Sequence, residues 1–189
     1  AKRIGANALL VRTGALYHDI GKLAAPQNFT ENQTDGYNPL SSMSYEKAAQ
    51  TIISHVADGV KLAKKNNLPA LIISFIESHH GTSKVRYFYN SYVNTHPNEQ
   101  VDESLFTYPG PKPQTKETAI LMMADAVEAR SRSLNEYTEE SIKTMVENMI
   151  SQQISDGQLS ETPLSFKDVE DIKKVFVERL ISIYHHRIS

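Results

Sequence analysis

The sequence lacks cysteine, so disulfides and thiolate metal sites are excluded, and nitrogen and oxygen atoms remain as the metal ligands. No signal peptide is visible in it, and no apolar run approaches the ~18 residues that suggest a membrane span. The formal net charge is only -2, which gives no general attraction to nucleic acid or to membranes. These absences predict a soluble chain, compatible with the cytoplasm, that does not bind nucleic-acid polymers.

What is present is an ordinary globular composition. The chain has 189 residues, of which 40% are hydrophobic and 22% charged. That length is enough to bury a hydrophobic core. We therefore expect a single domain over residues 1–189.

Helical periodicity dominates the chain, with no convincing strand alternation and no internal repeat. A punctuated stretch rich in Pro, Asn and Ser predicts a long loop over 25–44. Apolar spacings of three and four residues, with capping residues at their ends, favour an all-α fold. Helices are predicted over 7–22, 44–66, 69–80, 87–93, 115–134, 138–157 and from 165 to the end.

The first residues are typical of a helix end rather than a helix start. Lys2 and Arg3 precede Gly5, and basic residues followed by glycine are a usual stop signal. The helix that should precede them is missing from the sequence. We expect that the chain was excised from a longer protein.

Imidazoles and carboxylates recur in an order that indicates a metal site. They occur as His-Asp before Ile-Gly-Lys, a lone His in a helix, His-His before Gly, and Asp within Ala-Asp-Ala. Neighbouring residues of a helix diverge by about 100°, so such pairs are suited to two adjacent metals rather than to one. Two metals roughly 3.5–4 Å apart can share a hydroxide and clamp a phosphate. The candidate ligands are His18, Asp19, His55, His79, His80 and Asp125.

Each of these features alone has a simpler explanation. A lone His55 on an apolar helix is usually a core histidine, and His79 and His80 suit a helix C-terminus through its dipole. Asp125 alone suits a solvated surface. Their occurrence together, in one order along a helical chain, favours the metal site.

This order resembles the HD superfamily of phosphohydrolases. More specific matches resemble the cytoplasmic domain of seven-transmembrane HD proteins of the PgpH type. The stretches that carry the resemblance are Tyr17-His18-Asp19-Ile20-Gly21-Lys22, Phe29-x-Glu31-Asn32-Gln33, Asn38-Pro39, His79-His80-Gly81-Thr82, Tyr87-Phe88-Tyr89, Tyr108-Pro109-Gly110-Pro111-Lys112-Pro113, Asp125-Ala126-Val127-Glu128-Ala129 and Asp156-Gly157-Gln158. The resemblance implies an HD-domain helical bundle, excised from a membrane-anchored parent and situated on the cytoplasmic side.

The resemblance further implies hydrolysis of cyclic di-AMP to linear pApA by two divalent metal ions, iron or manganese. His18, Asp19 and Asp125 would serve one metal. Asp19 would bridge to a second metal held by His55, His79 and His80. A metal-bridging hydroxide would attack phosphorus in line.

One ligand of the family pattern has no match in the sequence. The family uses a further His on a helix upstream of the His-Asp pair, and this chain begins at what reads as the end of that helix. His96 lies in a polar loop, and His185 and His186 end a helix, so none is a good replacement. The first metal is expected to be under-coordinated.

Substrate contacts are predicted from position. Lys22, one turn after the metal pair, suits a phosphate or the leaving oxygen, and Thr82 next to the His-His pair suits phosphate. Tyr89 offers a surface for stacking adenine, although aromatic clusters are more often core. Lys112 lies in the proline-rich turn, which would either line the substrate pocket or only join two helices. Arg132 would contact an anion or pair with Glu128.

Two other functions remain open at this point. One keeps the HD fold with another substrate, such as cyclic di-GMP or a nucleoside phosphate. The other is a sensor that binds a nucleotide or metal without turnover. A homodimer is also compatible with the sequence.

Overall fold

The computed structural model describes the backbone of residues 1–33 and 38–188 and the side chains of residues 1–33 and 38–184. Within these residues all regular secondary structure is helical, apart from an isolated antiparallel bridge between Lys84 and Thr107. The predicted all-α class is confirmed. His185 and His186 lie outside the described side chains.

The described part of the chain contains seven α-helices and six short 3-10 turns. The α-helices are α1 (Ala8–Tyr17), α2 (Tyr45–Lys65), α3 (Ala70–Ser78), α4 (Arg86–Thr95), α5 (Lys116–Ser131), α6 (Glu139–Ser155) and α7 (Phe166–Ile188). The 3-10 turns are Lys2–Ile4, Ile20–Ala24, Pro26–Asn28, Thr30–Asn32, Pro39–Ser42 and Glu103–Phe106. Among the described residues, no helix is both long enough and apolar enough to cross a bilayer.

The helix starts follow the capping residues in the sequence. The side chains of Ser44, Thr115 and Thr138 each accept a hydrogen bond from the backbone N–H three residues later. The Asn7 side chain does the same for Leu10. These bonds satisfy N–H groups that the first turn of a helix leaves without a partner. The predicted starts of α1, α2, α5 and α6 are thereby confirmed.

The predicted end of the first helix is wrong by five residues. Helix α1 stops at Tyr17, and His18 and Asp19 lie in the turn that follows it rather than in a helix. The reason is tertiary packing at Gly21, where a Cβ atom would lie 1.8 Å from the carbonyl oxygen of His55 and 2.5 Å from the backbone nitrogen of Gly59. The chain leaves the α-helical path to bring this glycine against the backbone of α2.

Smaller corrections apply to two other helices. Helix α3 ends at Ser78, so His79 and His80 follow it in a turn, and Pro69 precedes its first turn as the N-cap. Helix α5 ends at Ser131 rather than near Leu134.

The chain forms two compact units, residues 1–14 with 112–189, and residues 15–111. The core of the first unit lies between α5, α6 and α7. Ile142, Val146 and Ile150 are fully buried there, while Met149 is only partly buried. The fully buried face of α6 is thus narrower than the set of apolar residues that its sequence places at helical spacing.

In the second unit, α2 is the central element. The 3-10 turn Ile20–Ala24, α3, α4 and the turn Glu103–Phe106 all pack on it. Its buried face includes small side chains at Ala48, Ala49 and Ala63, which allow close approach of its neighbours. His55 lies on the same face, so the packing that forms the core also carries a candidate ligand inward.

Candidate metal centre

Five of the six candidate ligands lie together in the unit formed by residues 15–111. His18 and Asp19 follow α1, His55 lies in the middle of α2, and His79 and His80 follow α3. The ring centroids are 5.0 Å apart for His18 and His79, and 5.2 Å apart for His55 and His80. Residues from three separate segments therefore form one imidazole and carboxylate cluster.

Three of the histidines share one hydrogen-bond pattern. In each ring, Nδ1 lies 2.7–2.8 Å from the carbonyl oxygen of the residue three positions earlier, the pairs being His18 with Ala15, His55 with Ile52, and His79 with Ile76. A carbonyl oxygen only accepts, so Nδ1 carries the proton and donates it. Each Nε2 then keeps its lone pair, as in histidines that bind metals.

These Nε2 atoms and the carboxylate of Asp19 face one another. The Nε2 atoms of His55 and His79 are 3.1 Å apart. Asp19 Oδ1 lies 3.4 Å from the first and 3.6 Å from the second, and Oδ2 lies 3.3 Å from Nε2 of His18. At such separations these nitrogen and oxygen atoms can share a proton or hold a cation between them.

The spacing fits a divalent cation. Metal–ligand bonds of about 2.1 Å, at angles of about 90–110°, separate neighbouring ligand atoms by about 3.0–3.4 Å. Nitrogen and oxygen donors suit iron, manganese and zinc alike. The donor set therefore supports metal binding without selecting the metal.

Burial favours the neutral state of the His79 and His80 rings. His79 is 1% exposed. Burial lowers the pKa of His79, although Asp19 opposes this, and burial with the neighbouring imidazoles holds the pKa of His80 well below its usual value. Neutral rings are the form that ligates metals.

Asp19 is held in its charged form. Burial alone would raise its pKa, but close contacts with His18, His55 and His79 outweigh burial and lower the pKa well below the usual range. The carboxylate is therefore ionised at any physiological pH. Its two oxygens face different histidines, as a bridge between two cations requires.

Lys22 lies against the same carboxylate. Its Nζ is 2.8 Å from Asp19 Oδ2 and 2.5 Å from Oε1 of Glu31. Burial by itself would lower the pKa of Lys22, but hydrogen bonds to the two carboxylates raise it, so the amine stays charged. The ammonium is thus fixed beside the cluster.

His80 is placed by an aromatic contact. Its ring stacks on that of Tyr108, with the centroids 4.2 Å apart and the planes 25° from parallel. One ligand atom each from His55, His79 and His80 lies within 4.8 Å of the others. These three histidines form a candidate site for one metal.

Asp125 belongs to the other compact unit. It lies within α5, away from either end of the helix, and is partly buried. Its expected role beside His18 and Asp19 stays a prediction.

The predicted substrate contacts have varied surroundings. Thr82 is partly buried in the turn after His80. The Tyr89 hydroxyl donates to Glu103, and its ring lies 4.5 Å from Nζ of Lys84. Their binding roles stay predictions.

Two further candidates lie in the unit that contains α5 to α7. Lys112 donates to Ser160 over 3.4 Å. Arg132 donates to Glu128 over 2.8 Å, the pairing that its spacing predicts, and is more than half exposed. An exposed pair of this kind adds little stability.

Sequence reasoning assigned no role to Glu31 and Tyr108. Both lie in stretches that carry the family resemblance, which was the available signal. Neither has a local pattern that relates it to a ligand, because each meets its partner only through the fold.

The comparison with protein families decides the classification. Residues 1–130 match the model of the HD domain family. The chain belongs to the HD domain family.

The HD chain is similar to longer curated proteins. It is 43% identical over 186 residues to the cyclic-di-AMP phosphodiesterase PgpH of Bacillus subtilis, covering 98% of this chain and 26% of that protein. It is 42% identical over 189 residues to PgpH of Listeria monocytogenes, covering 100% and 26%. The chain thus spans about a quarter of the length of these relatives.

Solved structures show the same similarity to PgpH proteins. The HD domain of L. monocytogenes PgpH in complex with cyclic di-AMP superposes with a TM-score of 0.93 at 41% identity, covering 97% of this chain and 85% of that one. A second structure of that HD domain gives a TM-score of 0.90 at 40% identity. The HD-type helical fold predicted from the motifs is confirmed.

Proposed function

We propose that this HD domain is a metal-dependent phosphodiesterase that hydrolyses cyclic di-AMP to linear pApA. The observation that carries the proposal is the set of Nε2 lone pairs facing the ionised carboxylate of Asp19. The likeness to the PgpH domain in complex with cyclic di-AMP supports the choice of substrate.

The residues divide between two divalent ions, iron or manganese. His55, His79 and His80 would hold one ion, and His18 and Asp125 the other, with Asp19 shared between them. When bound, the two ions supply an activated water and offset the charge of the phosphodiester.

Residues of the chain itself then orient the substrate. Lys22 has three N–H donors, of which two point to Asp19 and Glu31, so one is available for a phosphate oxygen. Thr82, Tyr89, Lys112 and Arg132 are the other proposed substrate contacts. Rigid placement of such donors favours the transition state as charge develops on the phosphoryl oxygens.

The proposal extends to the protein of which this chain is a part. Since the chain spans about a quarter of its curated relatives, we propose that it is the cytoplasmic domain of a membrane-anchored protein. A further histidine upstream of residue 1 would complete the first metal site.

Product analysis separates the candidate functions. The chain, supplied with Mn²⁺ or Fe²⁺, is incubated with cyclic di-AMP, cyclic di-GMP or nucleoside phosphates, and the products are identified by chromatography and mass spectrometry. We expect pApA from cyclic di-AMP at the highest rate. Preferred turnover of another nucleotide would reassign the substrate, and binding of cyclic di-AMP without product would indicate a sensor.

A further inference from the structure

His80 is oriented differently from the other three histidines of the cluster. Their Nδ1 atoms are fixed by backbone carbonyl groups three residues earlier. The His80 ring instead contacts other rings. Among the described side chains, these are the rings of His55, His79 and Tyr108. Its orientation thus depends on stacking rather than on a directional hydrogen bond.

The backbone holds Tyr108 in place against this ring. Tyr108 donates its N–H to the carbonyl of Ser83 over 2.9 Å, and Val85 donates to the carbonyl of Phe106 over 2.7 Å. Ser83 in turn donates its backbone N–H and its hydroxyl to the carbonyl of His80. The segment after the His-His pair is therefore tied to the segment that carries Tyr108.

Packing restricts the Tyr108 ring as well. Tyr108 is 6% exposed and lies in a cluster with Ile53 and Val56 of α2. It also meets the edge of the His55 ring, at 6.1 Å between centroids. A ring confined in this way presents a fixed flat face, and offset stacking on that face sets the plane of the imidazole.

We propose that Tyr108 is a positioning residue that sets the ring orientation of His80 and thereby the affinity of the His55, His79 and His80 group for its metal ion. This inference rests on the proposed metal centre and adds to it a residue that binds no metal. Partners that orient a ligating histidine typically change metal affinity by about 10- to 100-fold.

The test is a calorimetric titration of the chelator-treated chain with Mn²⁺. Tyr108→Leu removes the ring and is expected to weaken one site about 10- to 100-fold. Tyr108→Phe keeps the ring and should stay within about threefold of wild type, that is, below about 0.7 kcal/mol. Should Tyr108→Leu fail to fold, Tyr108→Met provides a second variant without a ring.

The control is Tyr92→Leu, because Tyr92 stacks on His96 at 4.4 Å in the same unit, and His96 is not a proposed ligand. This change should leave both Mn²⁺ affinities unaltered. In a His80→Ala background, Tyr108→Leu should have no further effect, which a purely structural role would not produce.

The outcomes separate this inference from the proposed function. Equal Mn²⁺ affinity in wild type and Tyr108→Leu, or an equal loss in Tyr108→Phe, would overturn the role of stacking while the metal centre stands. A wild-type chain that binds no Mn²⁺ would overturn the metal centre itself.

Discussion

Asp19 is the residue on which the proposed centre depends most. Its oxygens face His18 on one side and His55 and His79 on the other, and Lys22 contacts it as well. Removing its charge leaves the histidines without the anion that they surround.

We predict that Asp19→Asn abolishes hydrolysis and the binding of both metals. The amide keeps the size of the side chain but cannot bridge two cations as a carboxylate does. Metal content is measured by elemental mass spectrometry after equilibration with Mn²⁺. The control is Asp58→Asn, which removes an aspartate of α2 that pairs with the exposed Lys61. Full metal content in Asp19→Asn would contradict the bridge.

Lys22 is predicted to act in turnover rather than in metal binding. Lys22→Ala should lower kcat about 100-fold, the usual effect of losing one donor to a transition-state oxygen, with metal content retained. The matched change is Lys61→Ala, which removes a largely exposed lysine of α2 and should be silent. An unchanged kcat in Lys22→Ala would show that this lysine only balances the charges of Asp19 and Glu31.

For single residues, the sequence predicted which candidate ligands lie together in the fold, but not the contacts that orient their side chains. The order of His and Asp motifs identified five residues that the fold brings together. The assumption that His18 and Asp19 diverge on a helix was wrong, since the turn places their side-chain atoms 3.3 Å apart. Glu31 and Tyr108 were not identified because tertiary packing alone relates them to the cluster.

Among the elements, the 3-10 turn Ile20–Ala24 and α2 are in closest contact. Gly21 lies where a Cβ atom would strike backbone atoms of α2, which cannot move aside without moving the helix that carries His55. At Gly59 the nearest atom is Cγ2 of Ile76, the end of a side chain.

Gly21→Ala is therefore predicted to lower the free energy of unfolding by more than about 3 kcal/mol, and Gly59→Ala by about 1–3 kcal/mol. Urea unfolding followed by circular dichroism measures both. The order of the two effects is the critical result: a Gly21→Ala variant as stable as wild type would show that the two elements do not pack as described.

The start of α7 gives a prediction about pH. Hydrogen bonds from Ser165, together with the ammonium of Lys116, lower the pKa of Asp168 to about 2 from its ordinary value of 3.8. A depressed pKa means that the folded state favours the carboxylate, so its stabilising effect is full above about pH 5 and is lost as pH falls toward 2.

We expect Asp168→Ala to be less stable than wild type at pH 7, and the difference to shrink between about pH 4 and pH 2. Thermal unfolding at a series of pH values measures it. The comparison is Glu170→Ala, which removes a carboxylate of the same helix that pairs with the nearby Lys173. A difference that is constant with pH would assign the effect to helix propensity instead of charge.

Element starts were predictable because capping is local. Ser44, Thr115 and Thr138 mark their helices within one turn. Ends were less predictable, since the stop of α1 at Tyr17 follows from contacts of Gly21 with residues more than thirty positions away. Local sequence does not encode such contacts.

For the molecule as a whole, metal binding should couple to folding. An ion that binds only the folded chain stabilises the folded state by about 2.7 kcal/mol at 100 times its Kd. We predict that Mn²⁺ raises the thermal unfolding temperature of the chelator-treated chain. The same addition to Asp19→Asn should give no rise; an equal rise there would place the ion elsewhere.

The all-α fold class and the HD family could be predicted from the sequence. The division into two compact units, residues 1–14 with 112–189 and residues 15–111, could not. Separation into compact units depends on which helices pack together. Periodicity along the chain shows which face of a helix is buried, but not against which neighbour.

The most direct test of the account is the metal-dependent conversion of cyclic di-AMP by the purified chain, with Asp19→Asn as the blank. We predict pApA as the product, formed with Mn²⁺ or Fe²⁺ and absent after chelation. An N-terminally extended version is assayed in parallel, and we expect it to be faster. If neither version forms pApA with either metal, the proposed activity is wrong.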